Sequence, residues 1–386
     1  MAKVTVGLVP APELPEVIAR RLVDKLPDLF NKYVDRHTDW NCEIIVDSLA
    51  GAAENVSEII NEAEKLKEKY DWTYAICLTD LPIFSGSNIV LADANLSSSV
   101  AQISLPAFGA FPMKKRIQHS IIQMVAELYY GKLDDQHIKM AQKGIGPRTN
   151  QKQRTLFRTL IEPFTLSPIR RREAPEEIDC INVRFIIAPR LNGSLRILFG
   201  MTYANRPWTI MPSFKNVVAI AFATGAYGLI FTTLWKLSVS YNIYRFIGLN
   251  LAAVASMVLW ILLSHNLWET PRGTNNPRMR RLYNSTTIST LVIAVFIYYG
   301  VLFLLFLVAV SVFVPPSLFG EATGLEGKIH LINFIRLAWL VTSVATLAGA
   351  VGAAMENGDR VRNVTYGYRQ AHRYEDIRAQ SKDEDS

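Results

Sequence analysis

Four long apolar stretches dominate the second half of the chain, roughly Val217–Trp235, Phe246–Leu263, Ile288–Val314 and Ile329–Ala354. Each reaches or nearly reaches the about 18–20 apolar residues that a helix needs to cross a bilayer. They stand in series with short loops between, so the pattern predicts a four-helix transmembrane bundle rather than one buried core. The third stretch would make roughly 40 Å of helix, more than a hydrocarbon layer of about 30 Å, so it is expected to tilt or protrude. Pro315-Pro316 supplies its stop. Ala221 and Gly225, then Ala345 and Gly349, and Ala348 and Gly352, repeat at four-residue spacing. Such spacing lets helix backbones approach where lipid gives no hydrophobic drive, and packing within one bundle is expected over a subunit interface.

The first 131 residues alternate differently. Lys3–Val9, Cys42–Leu49 and Tyr74–Leu78 read as strands. Between them, Glu13–Val34 and Ala52–Tyr70 carry apolar residues at helical spacing. Two strand–helix–strand units in succession predict parallel pairing. Asn88–Ala94 and Val100–Leu105, separated by Asn95–Ser99, read as a hairpin, so the sheet becomes mixed. Arg116–Tyr130 closes the segment as a helix, with Gly131 as its expected cap. The predicted fold is therefore an N-terminal cytosolic mixed-sheet α/β domain, residues 1–131, followed by a linker and neck over 132–212. The bundle occupies 213–356 and a charged tail 357–386. In the neck, Leu156-Phe157 and Leu160-Ile161 fit either a short surface helix or a solvated linker. Ile181–Ala188 and Leu195–Tyr203 read as a second hairpin, which either returns to the main sheet or stands above the bilayer.

Charge divides the chain sharply. Residues 1–131 hold 12 Lys/Arg against 17 Asp/Glu, whereas residues 132–215 hold 15 against 7. Basic residues placed directly before a membrane span are explained by anionic lipid headgroups, at about 1 kcal/mol per Lys or Arg, more simply than by nucleic acid. Arginines before the first stretch (Arg170, Arg171, Arg172), after the second (Arg272, Arg278, Arg280, Arg281) and in the tail (Arg360, Arg362, Arg369, Arg373, Arg378) predict both termini in the cytosol. Met1 to Pro10 shows no charged-then-apolar leader, and the three cysteines are widely spaced. A multi-pass protein of the cell's inner (plasma) membrane is expected. Trp208 is placed for the interface, and Arg336 lies about 10 Å along the fourth helix, where it either snorkels outward or serves a function.

Chemistry in an open α/β sheet favours the crevice beyond the carboxyl ends of parallel strands. Three loops answer that description, and they bring Glu13, Asp47 and Asp80 as carboxylates able to converge on a cation or act as bases. Ser48 and Gly51 precede a helix N-terminus, where Ser48 caps the helix or helps hold an anion. Glu13, Asp47, Ser48, Gly51 and Asp80 are thus the candidate ligand-binding set. GxGxxG, GxxxxGK[ST] and GxSxG are all absent, which excludes those fingerprints, and no cofactor is implied. The hairpin-then-helix order resembles that of metzincin zinc proteases. Those carry HExxH, whereas the helix here reads His119-Ser120-Ile121-Ile122-Gln123, so the resemblance implies no protease activity. The leading expectation is a membrane-tethered domain that binds a small ligand or a protein partner, including a second copy of itself, for regulation or assembly. A membrane-anchored enzyme and an oligomeric transport subunit are the alternatives.

Overall fold

The structure, a computed structural model, describes residues 3–51, 56–86, 88–141, 169–173, 181–187, 191–270, 277–325, 329–352, 362, 368 and 373. It divides into two units, Met1–Asn205 with Arg369–Ser386, and Arg206–Tyr368.

Among the described residues, the first unit is built on a mixed sheet of eight strands. These are β1 (Lys3–Pro10), β2 (Asp39–Ile44), β3 (Tyr74–Thr79), β4 (Ile83–Ser85), β5 (Asn88–Asn95), β6 (Val100–Ser104), β7 (Ile169–Glu173) and β8 (Val183–Ile187). They run in the order β2-β1-β3-β6-β5-β8-β7, with β4 beside β5. Pairing is parallel among β2, β1, β3 and β6, then antiparallel from β6 onward. The parallel pairing and the β5–β6 hairpin agree with the apolar pattern. Every residue of β3 is buried, as a central parallel strand covered on both faces requires.

The helices are α1 (Leu14–Leu22), α2 (Leu26–Tyr33), α3 (Val56–Lys69), α4 (Met113–Ala141) and α5 (Leu191–Ala204). A 3₁₀ turn, Val23–Lys25, divides α1 from α2 where one helix was expected, and Pro27 fits the first turn of the second piece. Ile59, Ile60 and Ala63 of α3 pack with Val9, Ala75, Cys77 and Val100 on one face of the sheet. The opposite face carries a chain of rings from α2, β2 and α4: Phe30 lies 5.3 Å from Trp40, and Trp40 lies 5.6 Å from Tyr129. Gly131 does not cap α4, which continues to Ala141. A Cβ at Gly131 would stand 2.8 Å from Leu96, so the glycine serves a close approach to the β5–β6 turn.

The second expected hairpin is corrected. Its first half is β8, which returns to the main sheet against β5, but its second half is the helix α5. Gly193, Ile197, Gly200, Met201, Thr202 and Ala204 are buried, and the spacing of 193, 197, 200, 201 and 204 is helical, not alternating. Close packing fixes the choice, since a Cβ at Gly200 would stand 2.1 Å from the Pro106 carbonyl oxygen. Arg170, Arg171 and Arg172 form the exposed edge strand β7, so they belong to the sheet rather than to a separate neck. Charge on an edge strand also discourages pairing with another chain. The segments around Leu156-Phe157 and Leu160-Ile161 lie outside the described residues.

The second unit contains α6 (Lys215–Gly228), α7 (Thr232–Ser240), α8 (Ile243–Ser264), α9 (Pro277–Phe313), α10 (Pro316–Thr323) and α11 (Leu331–Gly352). Three of these, α8, α9 and α11, are long and apolar enough to cross a membrane. The first expected span is instead a bent pair, with α7 turned 92° from the helix that ends at Gly228. The indole Nε1 of Trp235 donates to the Leu229 carbonyl at 3.0 Å, satisfying one group that the break releases. The third span is a single helix of 37 residues, about 55 Å at helical rise. Ala221 and Gly225 of α6 meet Ala345 and Gly349 of α11. Cβ atoms added at Gly225 and Gly349 would stand 3.0 Å from Ala345 Cβ and Ala221 Cβ respectively. The small residues therefore serve packing among these helices.

Candidate functional site

The strand order places β2 on one side of β1 and β3 on the other, so successive connections leave β1 in opposite directions. The loops after β1 and β3 stand at the carboxyl ends of adjacent parallel strands, the position where ligands bind in this topology. The Ala11 N–H donates to the Leu78 carbonyl at 2.8 Å and holds the mouths of the two strands together. Beyond β3, the Thr79 hydroxyl accepts from the Leu81 N–H at 3.1 Å, and the Ser104 hydroxyl donates to the Leu81 carbonyl at 2.7 Å. These bonds fix the loop that presents Asp80.

Asp80 is only 1% exposed. Its two carboxylate oxygens accept from Arg373, Nη1 to Oδ1 at 2.8 Å and Nη2 to Oδ2 at 3.1 Å. Nη2 also donates to the Pro12 carbonyl at 3.5 Å, so the tail guanidinium touches the loops of both β1 and β3. The two residues are 293 positions apart in sequence, and Arg373 is itself buried. A fork-to-fork pair of this kind fixes direction as well as charge.

The other expected residues divide. Glu13 stands exposed at the same mouth, at the N-terminus of α1, with a backbone φ of 74° and no side-chain cap bond. That backbone region is sparsely populated for a non-glycine residue and costs about 1–3 kcal/mol. Asp47 is engaged within its own loop, where Oδ1 accepts from the Ala50 N–H at 3.1 Å, while its N–H donates to the Pro10 carbonyl at 3.1 Å. Asp47, rather than Ser48, is thus the cap of the 3₁₀ turn Leu49–Gly51, and Ser48 is half-buried beside it. Burial pushes the Asp47 carboxyl above its usual range, and the charge of Glu62 adds to that rise. Among the described residues, no three His, Cys, Asp or Glu side chains gather closely enough to hold a metal ion. The three-carboxylate convergence is therefore not formed, because Asp80 is engaged by Arg373 and Asp47 by its own backbone.

A buried polar row that periodicity did not single out crosses the antiparallel half of the sheet. Asp93 pairs in register with Gln102 on one side and Arg184 on the other. Arg184 Nε and Nη2 donate to Asp93 at 2.7 and 3.2 Å, Arg184 Nη1 reaches the Ser85 hydroxyl at 2.9 Å, and Gln102 Nε2 donates to Asp93 at 3.0 Å. Burial pushes the Asp93 carboxyl up, while Arg184 and Gln102 pull it back. A second pair, Arg171 with Glu127, ties β7 to α4 at 3.2 Å. The available signal was an Asp, a Gln and an Arg standing inside otherwise apolar strands. Asp93 thus joins three neighbouring strands at one register position.

In the helical unit, Arg336 of α11 donates to the Tyr241 carbonyl and, at 3.5 Å, to the Val239 carbonyl. Its guanidinium also lies 5.3 Å from the centre of the Phe246 ring. A cation at the C-terminal carbonyls of α7 is favourable for both groups. Trp208 is 43% exposed, on a 3₁₀ segment ahead of α6.

Fold and site together define a mixed-sheet α/β unit carried on a chain with helices able to cross a membrane, its switch-point crevice occupied by an arginine of its own tail. Comparison with protein-family models, with curated proteins and with solved structures finds no match to this chain.

Proposed function

We propose that this is a multi-pass protein of the cell's inner (plasma) membrane, with the α/β unit and both termini in the cytosol. The bent pair α6–α7 serves as the first of four crossings. Three apolar helices support this reading, as do Arg278, Arg280 and Arg281 in the first turns of α9, on the side that the positive-inside rule assigns to the cytosol. The exposed arginines of β7 suit anionic headgroups rather than nucleic acid, at about 1 kcal/mol each.

In this reading the α/β unit is a tethered binding module for regulation or assembly, and its binding surface is the β1–β3 crevice. The observation that carries it is the buried Asp80–Arg373 fork at the switch point. A carboxylate there that receives a guanidinium is suited to a basic group, on a small amine or on a partner protein. The tail is the resident occupant and so the competitor. Asp47 and Asp80 are both held in other bonds, which favours binding over acid–base catalysis.

Chemical rescue tests this. Arg373→Ala in the full-length protein should lower the thermal midpoint, and agmatine, a small guanidinium ligand, should restore part of the loss. Asp80→Asn should remove the agmatine response. A variant that melts like the wild type and ignores agmatine would refute the crevice as the binding surface.

A further inference from the structure

The first unit leaves one apolar face in the open. On α5, Leu195 and Phe199 are 51% and 53% exposed, and Tyr203 follows four residues further on. Positions 195, 199 and 203 are spaced by four, so they share one side of the helix. Phe111, in the loop ahead of α4, is 76% exposed and meets Tyr203 edge-on, with ring centres 5.2 Å apart. The row of side chains therefore runs from α5 onto the neighbouring loop. The other side of α5 packs inward through Ile197, Met201 and Ala204. A solvated helix face carries polar residues, so burial within the unit does not account for Leu195 and Phe199.

Positive charge borders the row. Lys114 and Lys115, both exposed, stand in the first turn of α4, just after Phe111. Cations there oppose the helix dipole, and that turn holds no acidic residue to balance them, so helix stability does not explain them. A basic rim beside exposed aromatic and aliphatic side chains is the composition of a surface that enters the headgroup layer of an anionic bilayer. Connectivity favours the same occupant. In sequence, only Asn205 and Arg206 separate α5 from the apolar segment Pro207–Gly228. So short a tether keeps the face near the membrane that the segment enters.

We propose that Phe111, Leu195, Phe199 and Tyr203, with Lys114 and Lys115 at their edge, dock the α/β unit onto the anionic cytosolic face of the membrane. This rests on the reading of the apolar helices as crossings. The rings and the leucine enter the boundary between headgroups and acyl chains, where aromatic side chains are favoured. The lysine stems let both ammonium groups stay among the phosphates. The unit is then held by two attachments, the chain and this face, rather than by the chain alone.

The test uses the full chain in nanodiscs, with its own cysteines replaced by alanine and an NBD fluorophore on one introduced cysteine at a time. Ser194→Cys labels the face beside Leu195 without removing an apolar side chain. Lys69→Cys labels the exposed end of α3, and Leu251→Cys an exposed position of α8. Nitroxide-bearing lipid is the quencher. In phosphatidylcholine with phosphatidylserine, quenching is expected at Ser194 and Leu251 and not at Lys69. The Ser194 quenching should weaken as salt rises or when phosphatidylserine is left out, because the lysines contribute to it. Phe111→Glu with Phe199→Glu should abolish it while Leu251 stays quenched. A Ser194 label no more quenched than the Lys69 label, with Leu251 quenched, overturns the docking alone and leaves the face to a protein partner. A Leu251 label that escapes the quencher brings down the crossings, and the docking with them. Ser194 quenching that survives the double glutamate variant also overturns the proposal.

Discussion

Arg373 forks onto the Asp80 carboxylate, and both groups are buried. Removing either partner alone breaks a buried ion pair, at a cost of about 3–5 kcal/mol. Arg373→Ala and Asp80→Ala should each lower stability by that order. The double variant Asp80→Asn with Arg373→Met should recover most of it, which a denaturant double-mutant cycle measures. Asp47 behaves oppositely. Its carboxyl pKa is raised in the folded state, so folding is penalised above that value, and the penalty disappears below the unfolded value of about 3.9. Asn retains an oxygen to accept the Ala50 N–H. Asp47→Asn is therefore expected to melt at or above wild type at pH 7, with the gap closing as pH falls through 4. Thermal melts across pH check the sign.

At the scale of elements, close approach decides which helices meet. A Cβ at Gly225 of α6 would stand 2.2 Å from Phe306 of α9, whereas one at Gly248 of α8 meets nothing within 4 Å. Gly225→Ala should cost about 1–3 kcal/mol through overpacking, and Gly248→Ala should be neutral or mildly stabilising. The pair of midpoints, measured in the same detergent, separates packing from helix propensity. Arg336→Leu removes the donor to the Val239 and Tyr241 carbonyls and should cost about 1–3 kcal/mol. The break between α6 and α7 was invisible to hydropathy because Leu229, Ile230 and Phe231 are as apolar as the helices they separate. α5 departs from the expected strand for a related reason. Its residues are β-compatible and short in number, and only burial at helical spacing against the Leu105–Phe108 turn distinguishes it.

At the scale of the whole molecule, Arg373 belongs to the first unit although it follows the helices in sequence, so a fragment ending before the helices lacks it. Residues 1–205 alone should present an open Asp80 and bind a peptide covering residues 365–380 in trans. Affinity should be modest, since tethering normally supplies an effective concentration of order millimolar. Fluorescence anisotropy checks this, with Asp80→Asn abolishing the signal. The sequence by itself determined the division into α/β and apolar halves, the parallel β1–β3 core, the β5–β6 hairpin and three helices able to cross a membrane. Each of these rests on local periodicity or on a continuous apolar run, and that information is carried within about twenty residues. Tertiary structure alone decided the return of β7 and β8 to the sheet, the pairing of Asp80 with Arg373 and of Asp93 with Arg184, and the bend after Gly228. These depend on which distant segments meet, and a single Asp or Arg looks the same in sequence whether it caps its own turn or holds a partner 293 residues away.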